Sequence, residues 1–180
     1  LIPAGVDGSR DNQGFLMNRQ KDTNSLNLPD GGVSYVDLMD TMTFAADFSF
    51  EWWQKYSDGS WLGIAGLDET DGILIKSTTE LQVRIDDGSG DNLSFTDSRG
   101  GWHHFVLTRS SNTLNLYRDG VIDVSDSETA AGNFEVRYIG THYPGSSHFE
   151  GSLDDVKIYS KALSTAEITR NYNAGKRSHR

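Results

Sequence analysis

Period-two alternation, cut every few residues by glycine-, aspartate- and serine-bearing turns, is the feature that most constrains this chain. In Phe48-Ser49-Phe50-Glu51-Trp52-Trp53-Gln54 the side chains of Phe48, Phe50 and Trp52 share one face, because successive residues of an extended strand point to opposite sides. Leu81-Gln82-Val83-Arg84-Ile85 repeats the pattern, with its polar residues facing away from Leu81, Val83 and Ile85, and Leu114 and Leu116 point one way within 113–117. Half-buried strands require this arrangement. Asp119-Gly120, between Leu116-Tyr117-Arg118 and Val121-Ile122, predicts a two-residue hairpin turn, since both central positions want positive φ and Asp-Gly tolerates it. "SDGS" (57–60) and "DDGSGDN" (86–92) predict further turns. Many short strands between such turns predict an all-β fold, an antiparallel two-sheet sandwich.

The chain's end alone reads as helical. Ser164 followed by Glu167 predicts a capping box, in which the hydroxyl takes a backbone N–H and the carboxylate reaches back to the cap's own N–H. Leu163 and Ile168 stand where a hydrophobic staple would, Ile168 and Tyr172 share a face at i, i+4, and Gly175 is the expected stop. The basic tail 176–180 is expected to fray.

At 180 residues the chain is expected to form a single domain spanning 1–180, long enough to bury a core without covalent staples. The sequence holds no cysteine, which excludes disulfide scaffolds, thiol catalysis and thiolate metal sites. Acidic residues outnumber basic ones 26 to 16, against nucleic acid as a partner, because phosphate binding needs clustered Lys and Arg. No apolar run has the length of a membrane span, so membrane insertion is not expected. The first residue is Leu1, so the chain reads as a processed product or an excerpt. The charge suits a secreted or surface-displayed protein, including one on a virion surface, or one that takes up cations.

"GWHHFVLTRSSNTLNLYRDGVI" (101–122) followed by "YIGTHYPGSSHFEGSLDDVKIYSKALSTAEI" (138–168) resembles the laminin-G-like, concanavalin A-like jelly roll. "LPDGGVSYVDL" (28–38) and "FSFEWWQK" (48–55) fall in the order of that family's early strands, and "VDGSRDNQG" (6–14) is similar to its turn-rich opening. The resemblance implies two antiparallel sheets packed face to face, with one short C-terminal helix. It also implies structural roles for Trp53, Trp102 and Tyr117, and a packing or hydrogen-bonding role for His103 and His104. Lectins, glycan-binding modules, adhesion domains and glycosidases all share the fold, so function has to be argued from residues.

Catalysis finds little support. A glycosidase needs two carboxylates flanking one bond, and Glu69-Thr70-Asp71 is the one such candidate, inside "LDETDG", a segment that reads as a turn. The serine-nucleophile, zinc-protease and phosphate-loop motifs are absent. The expectation is a non-enzymatic domain, with a divergent polysaccharide hydrolase or lyase the weaker alternative.

A structural Ca²⁺ is the expected cofactor. Related jelly rolls often hold one between an N-terminal loop and the closing aspartate, and by that resemblance Asp154 is the leading ligand, with Asp30 and Asp7 beside it. Calcium takes six to eight hard oxygens, which acidic, glycine-bearing loops can supply. For carbohydrate, the informative aromatics are those in turn-rich segments, where burial is not forced: Tyr56 and Trp61 around "YSDGSW", and His142, Tyr143 and His148 in "GTHYPGSSHF". Rings stack on sugar faces while carboxylates accept hydroxyl hydrogen bonds, and Asp68, Glu69 and Asp71 are the nearby acceptors. Sequence thus predicts a lectin-like module for a glycan or polysaccharide, with Tyr56, Trp61, His142, Tyr143 and Asp68 as ligand-binding residues. The alternative is a structural or adhesive domain that binds a protein partner.

Overall fold

The computed structural model describes residues 7–11, 14–18, 26–28, 34–56, 59–86, 90–96, 98–126 and 132–179. In chain order these form β1 (Asp7–Asp11), β2 (Gly14–Asn18), β3 (Leu26–Leu28), β4 (Val36–Phe44), β5 (Phe48–Lys55), β6 (Leu62–Gly66), β7 (Gly72–Ser77), β8 (Glu80–Arg84), β9 (Asp91–Ser94), β10 (His103–Ser110), β11 (Thr113–Arg118), β12 (Val121–Asp126), β13 (Phe134–Ile139), β14 (Gly151–Tyr159) and α1 (Thr165–Gly175). Among the described residues, one sheet runs β1-β2-β14-β5-β10-β11-β12, with β3 also paired to β14, and the other runs β4-β13-β6-β7-β8-β9. All the pairings are antiparallel.

Alternating residues of both sheets meet in one core. Register places Phe50 of β5 opposite Leu107 of β10 and Ile158 of β14, so three apolar side chains line up across the sheet. Phe48 stacks on Phe134 of the other sheet with ring centroids 4.6 Å apart, and Trp52 stacks on Phe105 at 5.5 Å. Each such ring contributes on the order of 1.5–3 kcal/mol by leaving water. Arg109 continues the inward row of β10 and is buried. Its guanidinium donates to the Phe44 carbonyl at 2.7 Å, the Ala46 carbonyl at 2.9 Å and the Gly132 carbonyl at 2.8 Å. These bonds satisfy backbone oxygens that the sheet ladders leave over, as a buried charge requires.

Strand β5 is buried on both faces, and the reason lies in α1. Ser164 and Glu167 form the predicted capping box, and Leu163 and Ile168 pack with Val106 in a second apolar cluster behind the sheet. On that face the Glu51 carboxylate is enclosed. Its Oε1 accepts from Lys157 Nζ at 2.8 Å and meets His104 Nε2 at 3.2 Å, while Oε2 accepts from Asn171 at 2.8 Å and the Tyr159 hydroxyl at 3.1 Å. His103 points the other way, its Nδ1 at 2.7 Å from Asp119. Both histidines thus serve hydrogen bonds, as expected. The Asp119-Gly120 turn has φ of 51° and 83°, the geometry its sequence predicts.

Two expectations about the chain's end need correction. Gly175 does not stop the helix in a left-handed conformation; it is the last helical residue, and Lys176 caps with φ −53°. Glycine is required because a Cβ would lie 2.7 Å from the Trp53 indole nitrogen. The tail is not frayed through 176–179 either, since His179 is buried between Trp53 and Trp102.

Candidate functional site

The site is built on the second sheet, where three glycines make room for a loop. At Gly63 of β6 a Cβ would lie 2.2 Å from both the His142 nitrogen and the Ser147 carbonyl. At Gly66 it would lie 2.4 Å from the His142 carbonyl, and at Gly72 of β7 2.3 Å from the His142 ring. Backbone of the 141–148 segment therefore rests directly on sheet backbone, and the Gly63 N–H donates to the Ser147 carbonyl at 2.9 Å. The segment is tied within itself by a bridge between Thr141 and His148. The Thr141 hydroxyl lies 2.9 and 2.8 Å from the Tyr143 and Ser146 carbonyls.

Between this loop and the 67–71 turn lies a cleft of about 510 Å³, lined by Trp61, Glu69, Arg84, His142, Tyr143 and Ser146 among others. That volume is within the range of small-ligand sites. Leu74 forms part of its floor, pointing away from the core that its neighbours Ile73 and Ile75 enter.

Each wall is fixed by its neighbours. Trp61 holds φ at 61° with 44% of its surface exposed, a backbone conformation that costs a bulky residue on the order of 1–3 kcal/mol. Arg84 is anchored by two acceptors, Gln82 Oε1 at 2.9 Å and the Glu69 carbonyl at 3.1 Å. The Tyr143 hydroxyl donates to Glu69 Oε1 at 3.4 Å. Asp68 Oδ1 accepts from the Thr70 N–H at 2.8 Å and its hydroxyl at 2.7 Å, which turns Asp68 to bracing the 67–71 turn. His142 is buried, and its Nε2 has no hydrogen-bond partner among the described residues. Burial first, and then the Arg84 charge, push its pKa down to about 4, so the ring is neutral.

Of the residues singled out by sequence, Trp61, His142 and Tyr143 meet in this cleft, and Asp68 sits in the turn beside it. Tyr56 does not join them. It is only 2% exposed and packs edge-on to Phe149 in the core, because its segment dives inward after β5 instead of staying on the rim. Asp71, the second carboxylate of Glu69-Thr70-Asp71, is buried and accepts the Glu135 N–H at 3.1 Å and the Asp86 N–H at 3.4 Å. Burial raises its pKa, although both backbone bonds oppose the rise.

Asp154 is on the other sheet, far along the fold from the cleft. Its Oδ2 lies 3.0 Å from His179 Nε2 and its Oδ1 accepts the Asp155 N–H at 2.9 Å. Asp30 lies outside the described residues, and of Asp7 the structure describes the β1 backbone but not the side chain. Among the described residues no group of three His, Asp or Glu side chains is gathered to hold a metal, and both oxygens of Asp154 are already engaged. Of that donor set the structure describes the Asp154 side chain alone.

Arg84, Ser146, Ser147 and the three glycines were not singled out by sequence as site residues. Arg84 was legible in part, since the alternation of β8 turns it away from the core. Nothing local reveals that a loop some seventy to eighty residues on will lie over Gly63, Gly66 and Gly72.

Residues 30–169, most of the chain, match the concanavalin A-like lectin/glucanases superfamily. The chain belongs to that superfamily. No curated protein matches it in sequence. Among solved structures it is similar to a native heptameric SAP-like pentraxin from Limulus polyphemus. The TM-score is 0.64 at 15% identity, over 81% of this chain and 78% of the pentraxin. It is also similar to the receptor-binding domain of botulinum neurotoxin type G, with TM-score 0.51 and 12% identity over 78% of this chain and 46% of that one. A type C botulinum neurotoxin structure gives 0.51 at 16% identity over 72% and 36%. This superfamily chain thus spans less than half of the toxin chains it matches. At such identities the likeness is one of fold.

Proposed function

We propose that this superfamily member is a non-catalytic, lectin-like carbohydrate-binding domain, acting outside the cytoplasm as a secreted or surface-displayed protein, with its saccharide in the Trp61–Tyr143 cleft. One observation carries the reading: Trp61 is exposed in a strained backbone conformation at the mouth of a polar cleft. Strain at a rim aromatic destabilises the free protein, and ligand sites are where such strain concentrates. The Trp61 indole supplies a face for a sugar ring, while Glu69, Ser146 and Ser147 supply hydroxyl partners. The lectin content of the superfamily lends support, as does the structural neighbour whose cell entry depends on two ganglioside molecules. The commitment of Asp71 to backbone N–H groups favours a non-catalytic reading, because it leaves Glu69 without a free second carboxylate in its own motif.

The test is a glycan and polysaccharide array with the parent chain and Trp61→Ala, with folding checked by melting. Glycan binding that disappears in Trp61→Ala supports the cleft. Binding that persists unchanged places the sugar elsewhere. A blank array with a tight multimer in light scattering favours a structural or adhesive domain.

Calcium at Asp154, Asp30 and Asp7 is a separate proposal and rests on the family resemblance. Asp154 would have to exchange His179 for the ion, so EDTA should lower the melting temperature if calcium is held there, and leave it unchanged otherwise.

A further inference from the structure

Resting on the cleft reading above, we infer that the saccharide is acidic, its carboxylate or sulfate group received by the guanidinium of Arg84. Arg84 lines the cleft, and its position is fixed from one side only. Nε is bound to Gln82 Oε1 and Nη1 to the Glu69 backbone carbonyl, whereas Nη2 has no acceptor and the group has no carboxylate partner among the described residues. Three other arginines of the two sheets are partnered. Arg137 is matched by Asp37 at 2.9 and 3.1 Å, Arg118 by Asp123 at 3.4 Å, and Arg109 by three carbonyls. Among the described residues, then, the Arg84 guanidinium faces the cleft without a carboxylate of its own.

Two carboxylates of the 67–71 turn, Asp68 and Glu69, do not fill that role. Asp68 braces Thr70, and Glu69 faces the Tyr143 hydroxyl with its side chain while giving Arg84 only its carbonyl. Burial, with the Arg84 charge adding to it, keeps the His142 ring neutral, so the described lining carries the Arg84 charge and adds no second cation from the histidine. An oxyanion beside Arg84 would meet the fork that suits it, since a planar guanidinium binds a carboxylate or sulfate through parallel N–H bonds. The rest of the ring would lie toward Trp61 and Tyr143, with Ser146 and Ser147 as partners for hydroxyls.

The experiment compares matched pairs on the full chain: oligogalacturonate against its methyl ester for a carboxylate source, and dextran sulfate against dextran for a sulfate source. Calorimetry is run on the parent chain, Arg84→Gln, Arg84→Lys and Trp61→Ala, each checked by melting. The expected result is that one acidic member binds tighter than its neutral counterpart. Arg84→Gln should weaken the acidic member by about tenfold to a hundredfold, the loss of charge-assisted hydrogen bonds, and the neutral member by much less. Arg84→Lys should recover part of the loss. Which pair responds identifies carboxylate or sulfate. Equal binding of acidic and neutral members, or acidic binding indifferent to Arg84→Gln, overturns the inference. If Trp61→Ala still abolishes that binding, the cleft reading itself survives. Absence of binding to every saccharide overturns both.

Discussion

His179 stacks on Trp53 with ring centroids 4.1 Å apart and planes 5° from parallel. Its two nitrogens meet oxygens at opposite ends, the Gly175 carbonyl at 2.9 Å and Asp154 Oδ2 at 3.0 Å. Trp102 closes the third side edge-on at 5.0 Å. The end of the chain is thus a clasp that ties α1 to the centre of the larger sheet through Asp154, two tryptophans and one imidazole. Gly175 is the hinge that lets the helix come close enough.

Replacing His179 with Ala should open that clasp. Asp154 Oδ2 would lose the His179 contact inside a mostly buried pocket, and Trp53 would lose a stacked face. The expected cost is about 1–3 kcal/mol in urea unfolding, with a red shift of tryptophan emission as Trp53 and Trp102 meet water. Unchanged stability and emission would mean that the tail is free in solution.

Glu51 makes the acid response predictable. Burial alone would raise its pKa, but the hydrogen bond with His104 and the Lys157 ammonium overcome that and hold it at about 2, against 4.5 when unpaired. A folded value below the unfolded one means that the unfolded chain takes up the proton first as pH falls. The stabilisation is complete above 4.5 and is lost as pH drops from there towards 2, by about 3 kcal/mol over the window. Glu51→Gln should be less stable at neutral pH and lose less between those limits, measured by denaturant unfolding at stepped pH. Equal slopes for the two proteins would place the acid sensitivity elsewhere.

The sandwich was legible because its signals are local. Alternation in 48–54 and 81–85, the Asp119-Gly120 turn and the Ser164–Glu167 box each fix their own backbone, and family resemblance supplied the rest. What stayed hidden depends on distant partners. Tyr56 looks like a rim residue in a turn-rich stretch, yet Phe149, ninety-odd residues on, draws it into the core. His179 lies in a short basic tail with no periodicity, and only the register that sets Trp53 opposite Asp154 creates a berth for it. Trp61, His142 and Tyr143 were readable as loop aromatics. That they face one cleft follows from the pairing of β6 with both β7 and β13, which no short stretch encodes.

Gly63→Ala should dismantle the cleft while the larger sheet persists. The new Cβ would strike the His142 nitrogen and the Ser147 carbonyl, both backbone atoms at 2.2 Å, so no side-chain rotation relieves the clash. A loss of about 1–3 kcal/mol is expected for such overpacking, together with faster amide exchange in 141–148. Gly101→Ala is the control, because its Cβ would find nothing nearer than 3.7 Å. Equal behaviour of the two variants would show that the loop does not rest on the glycine face.

His142 gives the cleft a pH dependence of its own. The groups acting on it are the Arg84 charge, which disfavours protonation, and the Asp68 carboxylate and Asp71 backbone, which favour it; burial outweighs them all and the folded pKa is about 4, below the free value of 6.5. As pH falls below 6.5 the unfolded chain gains a proton that the folded chain refuses, so stability declines towards pH 4. His142→Gln removes the titration and keeps a polar side chain of similar reach. Its stability should therefore fall less steeply than the parent's between those two values, a window that lies largely above the one Glu51 governs. Amide exchange in 141–148, referenced to intrinsic rates, should accelerate at pH 5 in the parent chain and less in the variant. If the loop stays equally protected in both, the histidine is reaching water in the folded state and the cleft is wetter than its burial implies.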